Sequence, residues 1–183
     1  MMKTVSQTLH RKLLTFGALR PETWELLFKR LEICQLASGE VFARQTGQVA
    51  YVVEGLLKEH AIKDRKHPAI INFIMADSFI ITETYNRYHY LTASMHTILV
   101  FIQTDYLAFL NYKELIPMYR LIQHNYVAGN YLRQFFLEII DRTERIALFK
   151  KHFYEYLPYF KKKEVANYLG IHYSYLLHLY DTV

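Results

Sequence analysis

Near the C-terminus, residues fall at a spacing suited to contacting a nucleic acid: Lys161-Lys162-Lys163, then Val165-Ala166, Leu169-Gly170-Ile171, Leu176 and Leu179. Two helices that cross at close range need a small residue at the crossing, a glycine at the turn and apolar side chains on the facing surfaces. Ala166 and Gly170 fill the two special positions, and Val165, Leu169, Ile171, Leu176 and Leu179 supply the shared core. The spacing predicts a helix-turn-helix over Lys162–Asp181. Its lysines can meet phosphates beside the exposed N–H groups of the first helix. The ordinary alternative is a solvated lysine run on a helical hairpin. The second helix, His172–Asp181, presents His172, Tyr173, Ser174, Leu177 and His178 outward, and none of these is the Arg, Lys, Asn or Gln that makes bidentate base contacts. Ser174 can bond a base edge, Tyr173 can reach a phosphate, either histidine can do both, and Leu177 fits a groove only against a thymine methyl.

Other chemistry finds little support. Cys34 is the one cysteine, so neither an intramolecular disulfide nor a thiolate metal cluster is available. His60, His67, His89 and His96 are scattered, without the His-x-His pair that a metal-binding β-barrel needs. No phosphate-binding glycine loop, nucleophile elbow or His-Glu-x-x-His motif is present. Asp77 and Glu83 are carboxylates without evident partners. No enzymatic role, cofactor or metal is expected.

The elements that must position these residues follow from composition and period. The chain has 183 residues, 52% hydrophobic and 21% charged, with 6 Gly and 4 Pro, which excludes disordered and collagen-like classes. No apolar run approaches the ~20 residues of a membrane span, and the first residues lack the apolar core of a secretory signal, so a cytoplasmic location and no membrane partner are expected. The net charge is +5, yet residues 141–183 hold 7 Lys/Arg against 5 Asp/Glu, so no part is strongly basic. Aromatic content is high, with 16 Tyr and 12 Phe; Tyr-filled packing is a commoner use than base stacking.

Thr4–Phe16 and Glu22–Arg30 read as helices, with Pro21 at a helix start. From Leu31 to about Ile102, short apolar stretches alternate with turn signals at Gly39, Gly47, Gly55 and Asp64-Arg65-Lys66-His67-Pro68. That texture predicts a small β-barrel or jelly roll with strands near Val41–Arg44, Tyr51–Val53, Leu56–Ile62, Ala69–Ile74 and Ile98–Gln103. After Thr104, a candidate N-cap, helical periodicity runs to about Phe153. Leu115, Ile122, Tyr126, Gly129, Arg133, Phe136 and Ile140 lie near one stripe; Leu121, Leu132, Phe135 and Ile139 supply a second. One face can pack on the barrel and the other against a second copy of the chain, or both can be internal core.

This order of parts resembles the Crp/Fnr family of bacterial transcription regulators over nearly the whole chain. Ser38-Gly39-Glu40-Val41-Phe42-Ala43-Arg44-Gln45, with Gly47 and Tyr51-Val52-Val53-Glu54-Gly55-Leu56-Leu57-Lys58, is similar to the opening strands of the family's cyclic-nucleotide-binding-like roll. The helix at 114–140 is similar to its dimerisation helix, and Lys162–Asp181 to its helix-turn-helix. The resemblance implies an α+β fold: a double-stranded β-helix (jelly-roll) sensor domain with N-terminal helices over 1–112, a dimerisation helix over 113–140, and an all-α helix-turn-helix domain over 141–183 without a wing, the chain stopping at Val183. It implies a homodimer paired through Leu115, Ile122, Tyr126, Gly129, Arg133, Phe136 and Ile140. It implies double-stranded DNA as partner, held by Lys161, Lys162, Lys163, His172, Tyr173, Ser174 and His178, with half-sites about 34 Å apart. It leaves room for a small-molecule effector of unknown identity.

Cyclic-nucleotide binders of the family carry a Gly-Glu pair and an Arg-Ser or Arg-Thr step; here Ile80 and Ile81 stand at the first, and Arg87 is the one remnant phosphate contact, an ordinary surface arginine being the simpler reading. The absent wing and absent recognition arginines also admit a sensing or protein-interaction module that no longer reads DNA specifically. Titration calorimetry with cyclic AMP and cyclic GMP is expected to show no saturable heat, and micromolar or tighter binding of either would overturn this.

Overall fold

The computed structural model describes residues 2–62, 67–103 and 112–182; the turn expected at Asp64-Arg65-Lys66 and the N-cap expected at Thr104 lie outside them. Helices α1 (Met2–Leu14) and α2 (Pro21–Phe28) precede eight strands: β1 (Leu31–Leu36), β2 (Val41–Phe42), β3 (Gln48–Glu54), β4 (Leu56–Ala61), β5 (Ala69–Met75), β6 (Phe79–Ile81), β7 (Tyr90–Ala93) and β8 (Thr97–Gln103). They form two antiparallel four-stranded sheets, ordered β1-β8-β3-β6 and β2-β7-β4-β5. Val52, Leu99 and Ile80 from the first and Leu57, Leu91 and Ile74 from the second share one core, which α1 covers with Val5, Leu9 and Leu13. The expected β-roll is therefore present.

Three strands were not anticipated, and each hides its signal. In β1 only the two end residues are buried, β6 is three residues long, and β7 is four. The expected strand over Val41–Arg44 stops at Phe42, because Arg44 turns inward to an ion pair with Glu59. The step from β3 to β4 is made by Gly55 alone, at φ +105°, where a Cβ would sit 2.4 Å from the Thr97 hydroxyl oxygen. No other residue takes that turn without displacing β8.

Helix α3 (Leu115–Glu138) crosses the roll and continues past it. It ends when Ile139 becomes extended, and Asp141 caps α4 (Arg142–His152) by accepting from the Thr143 N–H at 2.7 Å. A 3₁₀ turn (Tyr154–Tyr159) leads to α5 (Lys162–Leu169) and α6 (Tyr173–Tyr180). Among the described residues no helix is long and apolar enough to cross a membrane.

The assignment of pairing residues on α3 requires correction. Leu115, Ile122 and Tyr126 are buried in the roll core, and Phe136 in a second core with α4, α5 and α6. At Gly129 a Cβ would lie 3.0 Å from the Asn72 amide, so the helix presses directly on β5. Arg133 bonds the Tyr168 carbonyl, and Ile140, 94% exposed, lies beyond the helix. Apart from Ile140, this stripe packs on its own chain because the roll edge and the C-terminal helices offer it an apolar partner. The outward face of α3 instead carries Leu121, Tyr131 and Phe135, at 42%, 65% and 54% exposure.

The second core joins sheet to helices through Leu56, Ile70 and Phe73. Phe73 of β5 meets the rings of Phe149, Phe153, Phe160 and Tyr168 at 6.0, 5.6, 4.5 and 4.6 Å. Two polar ties reinforce it: Lys58 Nζ to Glu164 at 2.7 Å, and Asn167, which accepts from the Ile70 N–H at 2.7 Å and donates to the Pro68 carbonyl at 3.1 Å. Phe73→Ala is expected to cost about 3–5 kcal/mol, read as a lower urea midpoint; an unchanged midpoint would show that the ring carries no weight.

Candidate nucleic-acid interface

Helix α5 ends at Gly170, whose φ of +63° and ψ of 33° are left-handed. The Ile171 N–H then reaches back to the Ala166 carbonyl at 3.0 Å, closing the turn. A Cβ on residue 170 would press on Leu137 at 3.1 Å. Val165, Ala166, Leu169, Ile171 and Leu176 are buried, as the spacing required, and Leu179 packs against them half-buried. The carbonyls at the end of α5 are held from outside the motif: Arg133 Nε donates to Tyr168 O at 3.0 Å, and Arg145 donates to Leu169 O at 2.8 Å while also bonding Ile139 O. The expected helix-turn-helix is thus built and anchored to the end of α3.

His172, Tyr173, Ser174, Leu177 and His178 are exposed on α6 or at its cap. Ser174 and His178 lie one turn apart on the outermost line, and the His172 ring nitrogen is 2.8 Å from the Ser174 hydroxyl. The lysines separate into two kinds. Lys162 Nζ is committed to both Asp181 oxygens at 2.9 and 2.8 Å and lies over the Tyr180 ring. Lys161 and Lys163 are exposed, and the Lys162–Asp181 pair brings them beside the end of α6. Glu164 is neutralised by Lys58. Arg142, not singled out in the sequence, stacks over Tyr175 at 5.1 Å; its place one helix earlier left no signal.

No family model matches the sequence and no curated protein matches it. Solved structures match by fold. A protein assigned to the Crp/Fnr regulators of Eubacterium rectale superposes with TM-score 0.71 at 13% identity, covering 88% of this chain and 82% of that one. FixK2 of Bradyrhizobium japonicum gives 0.68 at 11%, covering 83% of each. The c-di-GMP-responsive global regulator CLP of Xanthomonas campestris gives 0.62 at 15%, covering 89% and 91%. The fold is that of the Crp/Fnr regulators.

Within this Crp/Fnr-like roll the cyclic-nucleotide signals are replaced by core and self-contained polar groups. Ile80 and Ile81 are fully buried strand residues of β6. Arg87 does not reach the interior; it is exposed, 4.6 Å over the Tyr88 ring, and donates to that residue's hydroxyl. The buried arginine is Arg44, which the sequence reading passed over. It donates to Glu59 at 2.7 Å, to the Ile81 carbonyl at 2.7 Å, to the Thr82 hydroxyl at 3.0 Å and to the Tyr126 hydroxyl of α3 at 3.0 Å. Tyr126 donates to Glu59 at 2.7 Å and accepts from Asn86 at 3.1 Å; His89 Nδ1 is 3.0 Å from the same Glu59 oxygen. The polar run Lys58-Glu59-His60 inside an otherwise apolar strand was its one trace in the sequence.

Asp77 and Glu83 do have partners. Asp77 receives Lys12 at 2.6 Å and the Tyr51 hydroxyl at 2.7 Å, and Glu83 receives Tyr119 and Gln123 from α3 at 3.1 and 2.9 Å. Among the described residues, no group of histidines and acids is arranged to hold a metal ion.

Burial pushes the Glu59 carboxyl upward, but the His89 hydrogen bond, the Arg44 charge and the Tyr126 hydroxyl together hold it below its ordinary 4.5. A carboxyl held low stabilises the fold fully above 4.5, and that contribution disappears as pH falls through the lowered value. Arg44→Met would strand the buried charge and is expected to cost about 3–5 kcal/mol at neutral pH, with a smaller loss where Glu59 is protonated. Urea midpoints across acid pH check this; equal midpoints for variant and parent at neutral pH would refute it.

Proposed function

We propose that this chain is a DNA-binding transcriptional regulator of the Crp/Fnr type that works as a homodimer in the cytoplasm. One observation carries the reading. Helix α6 is held outward over a buried Ala166–Leu176 crossing with its exposed side free, and Lys161 and Lys163 flank it while the nearby acids Asp181 and Glu164 are neutralised within the chain. A duplex meeting this side finds a helix of groove-filling width with cations at its border. Tyr173 and the two histidines supply further phosphate or base contacts. Pairing through the outer face of α3, by Leu121, Tyr131 and Phe135, would set two such units at a fixed spacing.

The roll in this reading does not take cyclic AMP. Where a phosphate would need an unoccupied cation, Arg44 already answers Glu59, and apolar side chains fill the β6 position. An effector, if one acts, differs in chemistry from a cyclic nucleotide. A second reading, a protein-interaction module, draws on the exposed rings of Tyr154, Tyr159, Tyr173 and Tyr175, which serve a protein interface as readily.

Fluorescence anisotropy with random duplex DNA near about 50 mM salt separates the two. Binding is expected, weakening with salt. Lys161→Glu with Lys163→Glu is expected to weaken it on every sequence and to lower the salt slope by about two. No duplex binding at that salt would reject the regulator and favour the protein-binding module.

A further inference from the structure

Resting on the DNA-binding reading, we infer that this recognition helix selects its site by thymine methyl groups, with Leu177 as the specificity-determining residue. Three residues share the outermost side of α6 at spacings of three and four: Ser174, Leu177 and His178. The Ser174 hydroxyl is engaged by the His172 ring at 2.8 Å, and beside it on this side stand one polar group, His178, and one branched apolar one. Leu177 is 41% exposed, although Leu176 beside it is fully buried. Its exposed flanks, Tyr173 and Tyr175, are largely apolar too.

The major groove offers donors and acceptors on every base pair and a single apolar feature, the C5-methyl of thymine. Donor-acceptor readout uses Arg or Lys on guanine and Asn or Gln on adenine, and α6 contains none of the four. The complement of its exposed side chains is therefore a methyl-bearing floor, an A·T step opposite Leu177. Charge favours an anionic partner such as a nucleic acid over a basic or neutral protein surface here. Lys162 cancels Asp181, Lys58 cancels Glu164, and Arg142 lies over Tyr175 at the border. Specificity of this kind rests on burial, so it should change little with salt, whereas the phosphate contacts around it should weaken.

The test uses the full chain and duplexes recovered from a randomised pool. Each thymine of the recovered half-site is replaced singly by deoxyuridine, which removes only the methyl. At one or two positions affinity is expected to fall about fourfold, as for one buried methyl, equally at low and moderate salt. Leu177→Ala, at an exposed position and so without change in melting temperature, is expected to weaken the thymine site similarly and to abolish the difference between thymine and deoxyuridine. Recovered sites without a thymine preference, indifference to deoxyuridine, or a Leu177→Ala protein that still distinguishes the two would overturn methyl readout while leaving sequence-selective DNA binding intact. Failure to bind any duplex would instead remove the regulator reading itself, and this inference with it.

Discussion

The packing of Phe73 against Phe160 and Tyr168, at 4.5 and 4.6 Å, determines where the helix-turn-helix sits relative to the β-roll. A single ring from the sheet edge enters a cluster built from α3, α4, α5 and the 3₁₀ turn, so the two halves of the chain share a core rather than a linker. Interiors pack at crystal density and do not deform smoothly, so an α5 seated on that ring holds α6 in one direction. Asn167 adds polar precision by serving a backbone donor of β5 and the backbone acceptor of Pro68 just before it. Whatever displaces β5 must move α6 with it.

Charge is distributed by the same logic. The net surplus of +5 is modest, but many of the nearby ions are spent internally. Arg44 and Glu59 cancel each other in the roll, Lys58 reaches from β4 to α5, and Lys162 closes on Asp181. A buried pair of this kind costs desolvation and is retained where its hydrogen bonds give a unique geometry. Here those bonds link β4, β6 and α3, so the polar cluster acts as a second fixed joint, between roll and helix, complementing the aromatic one between roll and helix-turn-helix. What remains for a partner around α6 is narrow: Lys161 and Lys163, His172 and His178, and a large share of aromatic and aliphatic surface.

Several features were legible in the residues themselves. Gly39, Gly47 and Gly55 marked turns, and all three adopt positive φ. Ala166 and Gly170 marked the crossing and the turn of the helix-turn-helix, because Gly170 takes a left-handed backbone and Ala166 is buried where the two helices meet. Strands β1, β6 and β7 escaped because short or irregularly buried strands carry no clean alternation. Arg44 escaped because a charged residue at the end of an expected strand reads as solvated, and its acceptor lies fifteen residues away in another strand.

The direction of α3 shows the division most plainly. Periodicity determined that the helix has two apolar stripes, since side chains three and four apart share a face whatever surrounds them. It could not determine which stripe meets the roll, because that choice depends on which neighbours arrive, and the chain brings β5, α4 and α5 to the one carrying Tyr126 and Phe136. Local pattern thus determined the kinds of element and the turn residues that join them. The partners of each face and the closure of Arg44 on Glu59 were decided only when distant segments met, because burial and ion pairing are properties of the space between elements.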